Sequence, residues 1–208
     1  MLAPDSLVTL YGAGFTAGSR VEIQDAGNAT RAATVLFSNA SQMNLLLPGA
    51  TALGPARVMV ITPDGTRSHT TVAPVQKVAP ALFAASANGR GPAAALALRV
   101  EIDGRQTPLR VFTCAGPLIC LTQKIEVRDD RPVYLSLYGT GVRGRAGPAT
   151  ATVGGKSVTV VYAGSQTEFA GLDQINIQLP NSLRGLGKAD VVVTVDGVSS
   201  NAVQIEID

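Results

Sequence analysis

Short runs in which apolar and polar residues alternate follow one another along the chain, and turn-forming residues separate them. QINIQLP (174–180) is the clearest run, because its apolar residues fall on one side of an extended strand and its amides on the other. No segment keeps a 3.6-residue apolar period, so the pattern predicts an all-β chain. In the first third, strands are predicted near 7–11, 20–24, 33–37, 42–47, 57–62 and 68–73.

The chain also repeats itself. LVTLYGAGF (7–15) returns as YLSLYGTGV (134–142), QMNLLLP (42–48) as QINIQLP (174–180), and VITPDGTRS (60–68) as VVTVDGVSS (192–200). Three blocks in the same order indicate a tandem duplication of one domain. Short strands separated by turns are typical of a small antiparallel β-sandwich. We therefore predict two tandem immunoglobulin-like β-sandwiches, at residues 1–77 and 78–208.

The second copy carries an insertion at about residues 93–127 that has no counterpart in the first copy. Two hairpins are predicted in it, one turning at Asp103-Gly104 and one between Cys114 and Cys120. The apolar stretch ALALRVEI favours packing of the insertion over its use as a presentation loop. The sequence leaves both alternatives open.

Cys114 and Cys120 flank a turn signal, Gly116-Pro117, and strand-like sequence lies on both sides. The two thiols can therefore face each other across a hairpin, and a disulfide there would contribute about 2 kcal/mol by loop entropy. Two buried free thiols are the alternative. A metal site is disfavoured, because the spacing lacks a second ligand pair and the only histidine, His69, is remote. A disulfide implies an oxidising compartment.

The order of a strand, G-x-G-[FV], a V-x-[IV] strand, a polar-apolar strand ending in Pro and a strand with a D-G turn resembles the TIG (IPT) immunoglobulin-like domain. The resemblance covers residues 5 to about 76 and about 132 to 208. The second copy resembles an uncharacterised C-terminal domain family of secreted acidobacterial proteins through VAPALFA (78–84), GPAAALAL (91–98), VYLSLYGTGVRGR (133–145), GLDQINIQLP (171–180) and VDGVSSNAVQI (195–205). This resemblance implies an exported parent protein and no catalytic residues.

Residues 139–144, GTGVRG, match the glycine spacing of a dinucleotide-binding loop. Such a loop must open a helix whose N-terminus binds the phosphates, and the β-branched sequence that follows predicts strands instead. The glycines are interpreted as a bulged exit from a strand. No cofactor is expected.

The charge distribution and a few single residues argue against further classes of function. The formal net charge is +2 with the basic and acidic residues scattered, so nucleic acid is not an expected partner. No apolar run reaches the length of a membrane-spanning helix, and the N-terminus MLAPDSLVTL lacks a signal-peptide pattern, so neither membrane insertion nor a leader is expected in this sequence. One histidine leaves little choice of catalytic base, so we expect no enzyme. Asp129 and Asp130 are a calcium alternative to local pairing with the flanking arginines.

Tyr11 and Tyr138 occupy equivalent positions in the two copies and share a strand face with polar residues, so they are candidate ligand contacts. Arg143, in the glycine loop, is a candidate for binding an anion. The expected function is a non-catalytic structural or interaction module of a secreted or cell-surface protein, monomeric, that spaces or presents other domains. The alternative is a carbohydrate-binding module. The partners would then be other domains of the parent chain, an extracellular protein or a glycan.

Overall fold

The computed structural model describes residues 1–68, 70–116 and 118–208, and its regular structure is almost entirely strand. His69 and Pro117 lie outside the described residues. The strands are β1 (Leu7–Tyr11), β2 (Arg20–Gln24), β3 (Thr30–Ser38), β4 (Gln42–Leu46), β5 (Gly54–Ile61), β6 (Thr71–Val75), β7 (Ala81–Leu82), β8 (Ala95–Val100), β9 (Gln106–Leu109), β10 (Phe112–Gly116), β11 (Ile119–Thr122), β12 (Lys124–Ile125), β13 (Val133–Thr140), β14 (Thr150–Val153), β15 (Lys156–Val158), β16 (Val160–Ser165), β17 (Asp173–Leu179), β18 (Gly187–Val195), β19 (Val198–Ser199) and β20 (Val203–Ile207), with a 3-10 turn at Asn181–Leu183. The all-β fold class predicted from the alternation is confirmed.

The chain forms two compact units. Unit 1 comprises Met1–Ala79 and Thr167–Leu172, and unit 2 comprises Pro80–Gln166 and Asp173–Asp208. Each unit has its own strand pairing and its own buried apolar residues, as expected of a duplicated domain.

Unit 1 has the strand order β1-β4-β3-β2-β5-β6. The long strand β3 pairs with β2 through residues 30–33 and with β4 through residues 34–38, so it passes from one layer of a sandwich to the other. Every second residue of β2, β4 and β5 is buried, which places one face of each strand in a shared core. The core consists of Val21, Ile23, Ala33, Met43, Leu45, Leu47, Ala56, Val58, Val60 and Val75.

Unit 2 contains two six-stranded sheets besides the two-stranded sheet of β10 and β11. Sheet I has the order β16-β17-β13-β8-β9, with β7 also paired to β13, and sheet II has the order β12-β20-β18-β14-β15, with β19 paired to β18. Each sheet has one buried apolar face, supplied by residues such as Leu135 and Ile177 in sheet I and Val193 and Ile205 in sheet II. Two sheets that each bury one face form the second β-sandwich.

The insertion forms the predicted pair of hairpins. Strands β8 and β9 join sheet I next to β13, with the turn at Asp103-Gly104, where Gly104 has a φ of 81°. Strands β10 and β11 form a separate two-stranded sheet in which Cys114 lies directly opposite Cys120. The two cysteines form a disulfide, with a Cα–Cα distance of 4.0 Å. The predicted disulfide is confirmed. The first hairpin therefore packs, whereas the second presents exposed Leu118, Ile119 and Leu121.

The glycines of the dinucleotide-like motif have structural roles at the end of β13. A Cβ at Gly139 would lie 2.3 Å from the Ala81 carbonyl oxygen, because β7 pairs with β13 at this position. Gly141 has a φ of 78°, in the left-handed region where glycine is favoured. Gly139 therefore lets β7 approach β13 closely, and Gly141 lets the chain turn after β13. Strand β14 follows, and the described residues between the two strands form no helix.

We expect Gly139→Ala to destabilise unit 2 by about 1.5 kcal/mol, because β7 must move away from β13 to make room for the methyl group. Gly147→Ala is a matched control, since its Cβ would meet only the Asp196 carboxylate at an ordinary 3.5 Å. Urea denaturation followed by circular dichroism measures both variants. Equal midpoints for the two variants would contradict the assigned role of Gly139.

Asp25 fixes a turn in unit 1. Its carboxylate is almost completely buried and accepts hydrogen bonds from the backbone N–H groups of Ala52 at 2.9 Å, Gly27 at 2.9 Å and Ala29 at 3.1 Å. The Arg31 guanidinium pairs with it as well. The N–H of Ala52, followed by those other donors, lowers the pKa of the Asp25 carboxyl below its ordinary value, although burial opposes this.

This lowered pKa predicts acid-dependent stability. A carboxylate with a lowered pKa in the folded state stabilises the fold above its ordinary value of 3.8, and this contribution is lost as the pH falls through the folded-state pKa. The urea midpoint of the wild type should therefore fall more steeply below about pH 4 than that of Asp25→Asn. The control is Asp103→Asn, at an exposed carboxylate, which should follow the wild-type curve. Parallel curves for wild type and Asp25→Asn would contradict the assignment.

Candidate functional site

The outer face of sheet I is the candidate binding surface of unit 2. Its strands turn one set of residues into the core and the alternate set outward, as in β13, where Leu135 and Leu137 are fully buried and Ser136 between them is partly exposed. The outward residues of the five neighbouring strands are Val161, Tyr162 and Gly164; Gln174, Asn176 and Gln178; Tyr134, Ser136 and Tyr138; Leu96, Leu98 and Val100; and Gln106 and Pro108. This set is called the outer face of sheet I below.

Cross-strand register places hydroxyl-bearing side chains opposite amides on this face. Tyr138 lies opposite Gln174, Ser136 opposite Asn176, and Tyr134 opposite Gln178. Directly opposite residues on one face of an antiparallel pair have side chains within contact distance. The face therefore carries a row of aromatic and hydroxyl groups beside a row of amides.

A shallow depression of about 270 Å³ lies on this face. It is lined by Leu98, Val100, Gln106, Tyr134, Ser136, Val161 and Asn176. Its walls thus come from β16, β17 and β13 of the repeated domain and from the β8–β9 hairpin of the insertion. The insertion is what gives unit 2 this concavity.

A β-bulge in β16 shapes one side of the face. Between Val160 and Tyr162 the register with β17 shifts, so Val161 is left without a direct partner and Tyr162 comes opposite Asn176. The Tyr162 hydroxyl donates to the carbonyl oxygen of Ser165 at 2.5 Å, with its ring beside Gly164. The bulge thus adds an exposed aromatic ring and an exposed valine to the face.

A hydrogen bond orients two of the amide side chains on this face. Gln174 Nε2 donates to Asn176 Oδ1 at 2.8 Å, which orients both side chains along β17. None of the outward residues named above carries a formal charge. A face with aromatic rings, hydroxyls and amides and no charge suits a neutral, hydroxyl-rich ligand.

Tyr11, the candidate in the first copy, lies at the end of β1 opposite Gln42 and is 76% exposed. Tyr138 is partly exposed on the outer face of sheet I. The structure therefore places both predicted tyrosines on outward strand faces, each within its own unit.

Arg143 lies in an ion pair. Its Nε donates to Asp173 Oδ1 at 2.8 Å, and the N–H of Val142 donates to Asp173 Oδ2 at 2.8 Å. Asp173 is fully buried, and burial raises the pKa of its carboxyl although both hydrogen bonds oppose the shift. This pairing connects the glycine loop to the start of β17. This partner of Arg143 was not predicted from the sequence, because Asp173 is distant along the chain.

The remaining candidates have structural partners or lie outside the description. Asp130 pairs with Arg128 at 3.7 Å and with Arg131 at 3.5 Å, which is the local pairing considered beside calcium. His69 lies outside the described residues. Asn201, its counterpart in the second copy, accepts from the N–H of Leu82 at 2.8 Å and donates to the Leu82 carbonyl.

Across residues 1–68, 70–116 and 118–208, no three His, Cys, Asp or Glu side chains come together as a metal site would require. None of the helical structure among those residues is long and apolar enough to cross a membrane.

Sequence reasoning singled out Tyr138 but missed Tyr134, Tyr162 and Asn176. The alternation of β13 in the sequence was a signal that could have found Tyr134, since it lies an even number of positions from Tyr138. Tyr162 could not be found in this way, because the bulge shifts its strand out of simple alternation.

Similarity to known proteins was found among solved structures. No family model matches the chain, and no curated protein matches it. Among solved structures, the chain is similar to the Bacteroides ovatus mixed-linkage glucan utilization locus protein SGBP-B, solved in complex with a mixed-linkage heptasaccharide. The TM-score is 0.40 at 14% sequence identity, and the match covers 100% of this chain and 43% of that chain. This chain thus spans less than half the length of that protein, and the fold assignment rests on the strand pairing described above.

Proposed function

We propose that this chain is a non-catalytic interaction module of an exported protein, and that it binds a neutral carbohydrate chain on the outer face of sheet I. The observation that carries the proposal is the juxtaposition, on one uncharged sheet face, of Tyr134 and Tyr138 with the amides of β17. Sugar rings present C–H faces that stack on aromatic rings and hydroxyls that bond to amides, so this combination fits them.

The shape of the face favours an extended ligand over an enclosed small molecule. Pockets that enclose small ligands measure about 300–1,000 Å³, whereas this depression measures about 270 Å³ on an open sheet surface. A polymer lying across the strands would place one residue in the depression and its neighbours on the surrounding side chains. A neutral polymer is favoured over nucleic acid, because phosphate binding needs cationic side chains and the face has none among its named residues.

Export of the parent protein is supported by the disulfide. The Cys114–Cys120 bridge lies across a hairpin with Cys114 exposed to solvent, and such bridges persist in oxidising compartments. An extracellular module would meet polysaccharides directly. Spacing or presenting other domains of the parent chain is the second candidate function, and it is favoured by the exposed Leu118, Ile119 and Leu121 on the bridged hairpin.

Affinity electrophoresis tests the proposal. The full chain is run through native gels that contain soluble neutral polysaccharides with different backbones: hydroxyethyl cellulose, xyloglucan, galactomannan and dextran. We expect retardation by at least one of them, and a reduction of that retardation of about tenfold in apparent affinity for Tyr134→Ala or Tyr138→Ala, because each removes a stacking surface.

Leu121→Ala is the control, since it removes an apolar side chain from the β10–β11 hairpin that is more exposed than either tyrosine. This variant should be retarded like the wild type. Retardation by none of the polymers would overturn the carbohydrate proposal in favour of the spacing function. Retardation that Leu121→Ala abolishes and both tyrosine variants retain would place the site on the hairpin instead.

A further inference from the structure

We infer that unit 1 carries a second carbohydrate site, equivalent to the one in unit 2, on the outward face of β1, β4 and β3 centred on Tyr11. The inference rests on the proposed function, because it assigns the same ligand class to a second location. It predicts two binding sites per chain where the depression alone suggests one.

The strand register pairs the same types of residue in the two units. Tyr11 lies opposite Gln42 in unit 1, as Tyr138 lies opposite Gln174 in unit 2. One step along the same strands, Thr9 lies opposite Asn44, as Ser136 lies opposite Asn176. The duplication has therefore kept the same chemical pairs in the same register.

A β-bulge also recurs in the two units, although the repeated sequence blocks did not reveal it. In β3 the register with β4 shifts between Val35 and Phe37, so that Phe37 comes opposite Asn44. In β16 it shifts between Val160 and Tyr162, so that Tyr162 comes opposite Asn176. The two bulges lie at equivalent places in the strand pairing, and each brings an aromatic residue opposite the equivalent asparagine. The residue at the bulge itself is an exposed aliphatic one in both units, Leu36 in unit 1 and Val161 in unit 2.

The amides of the two units also form the same hydrogen bond. Gln42 Nε2 donates to Asn44 Oδ1 at 2.8 Å, and the corresponding Gln174 to Asn176 bond is also 2.8 Å. Thr9 Oγ1 adds a further hydrogen bond to Asn44 Oδ1 at 3.1 Å. The glutamine thus donates to the asparagine in the same direction in both units.

Packing does not account for this retention. Tyr11 is 76% exposed and Phe37 is 49% exposed, so neither contributes much to the core of unit 1. Elsewhere on the same strand pair the copies have diverged: Leu7 opposite Leu46 stands where the second copy has Tyr134 opposite Gln178. The retained pairs, Tyr opposite Gln and Thr or Ser opposite Asn, supply stacking and hydrogen-bonding groups in both units, whereas the Tyr134 ring is present only in unit 2.

The two sites are expected to differ in strength. In unit 2, strands β8 and β9 extend the sheet beside β13 and supply a wall of the depression. In unit 1, β1 is the end strand of its sheet, and the depression beside Tyr11 is smaller, about 210 Å³, and is lined by the end of β1, the loop that follows it, Val58, Val60, Ser68 and Thr71. The unit 1 site should therefore bind the same ligand more weakly.

Isothermal titration calorimetry of the full chain tests the inference. The probe is an oligosaccharide from the polymer that retards the wild type most in the native gels. We expect two sites of unequal affinity in the wild type, loss of the weaker one in Tyr11→Ala, loss of the tighter one in Tyr138→Ala, and about a tenfold or greater loss at the affected site in each case. The double variant should show no measurable binding.

Leu53→Ala is the control in unit 1, because it removes an exposed apolar side chain outside strands β1, β3 and β4. It should retain both sites. One site in the wild type, unaffected by Tyr11→Ala and abolished by Tyr138→Ala, would overturn this inference and leave the proposed function standing. Absence of any binding to the polymer panel would overturn both.

Discussion

Replacing Asp173 by alanine is expected to lower the free energy of unfolding of unit 2 by about 3 kcal/mol. The carboxylate is fully buried and accepts from the N–H of Val142 and from Arg143, so its removal takes away both hydrogen bonds and the negative charge beside a mostly buried cation. The side chain of Arg143 is 22% exposed, so water recovers part of the loss and the value lies at the low end for buried pairs. Urea denaturation followed by circular dichroism measures the change.

The matched control is Asp130→Ala, which removes a carboxylate that also pairs with arginine but is half exposed. Because exposed ion pairs contribute little, this variant should lose less than about 1 kcal/mol. An Asp173→Ala midpoint equal to that of Asp130→Ala would show that the buried pair does not hold the glycine loop on β17.

Removing the disulfide is expected to cost about 2 kcal/mol by loop entropy. The bridge closes a short loop in a two-stranded hairpin, and such a hairpin is only marginally stable by itself. In the double variant Cys114→Ser, Cys120→Ser the hairpin should exchange its backbone amides faster than in the wild type. Hydrogen exchange measured by mass spectrometry reports this locally, and thermal unfolding reports the global loss.

Thiol titration is the companion measurement for the bridge. Unreduced protein produced with export should show no reactive thiol, and two should appear after reduction and unfolding. Two reactive thiols before reduction would contradict the disulfide. The Cys114→Ser single variant serves as a reference, because it cannot form the bridge and leaves a single thiol, at Cys120, to be titrated.

Local alternation and turn residues predicted much of the fold. Strands β1 and β2 begin and end where their patterns of apolar residues and flanking glycines placed them, at Leu7–Tyr11 and Arg20–Gln24. Strand β3 is longer than its prediction, Thr30–Ser38 instead of 33–37, because its two ends pair with different layers. That extension depends on tertiary pairing, which no local pattern contains.

The candidate site was only partly predictable. Alternation identified Tyr11 and Tyr138 as outward residues because each lies on a regular strand. Phe37 lies on the same face as Tyr11, and Tyr162 on the same face as Tyr138, only because a bulge shifts each strand by one residue. A bulge has no reliable sequence signal. The partner of Arg143 was invisible for a different reason, since long-range pairing with Asp173 exists only once the fold brings the two segments together.

The most direct test of the proposed binding face is a side-chain amide experiment. A ¹H–¹⁵N spectrum of the full chain is recorded while the oligosaccharide selected in the gels is added, and the side-chain NH₂ signals are followed. We expect the signals of Gln174, Asn176 and Gln178 to shift first, because their amides line the outer face of sheet I. Shifts confined to Asn181 and Gln204, with those three signals unchanged, would contradict it.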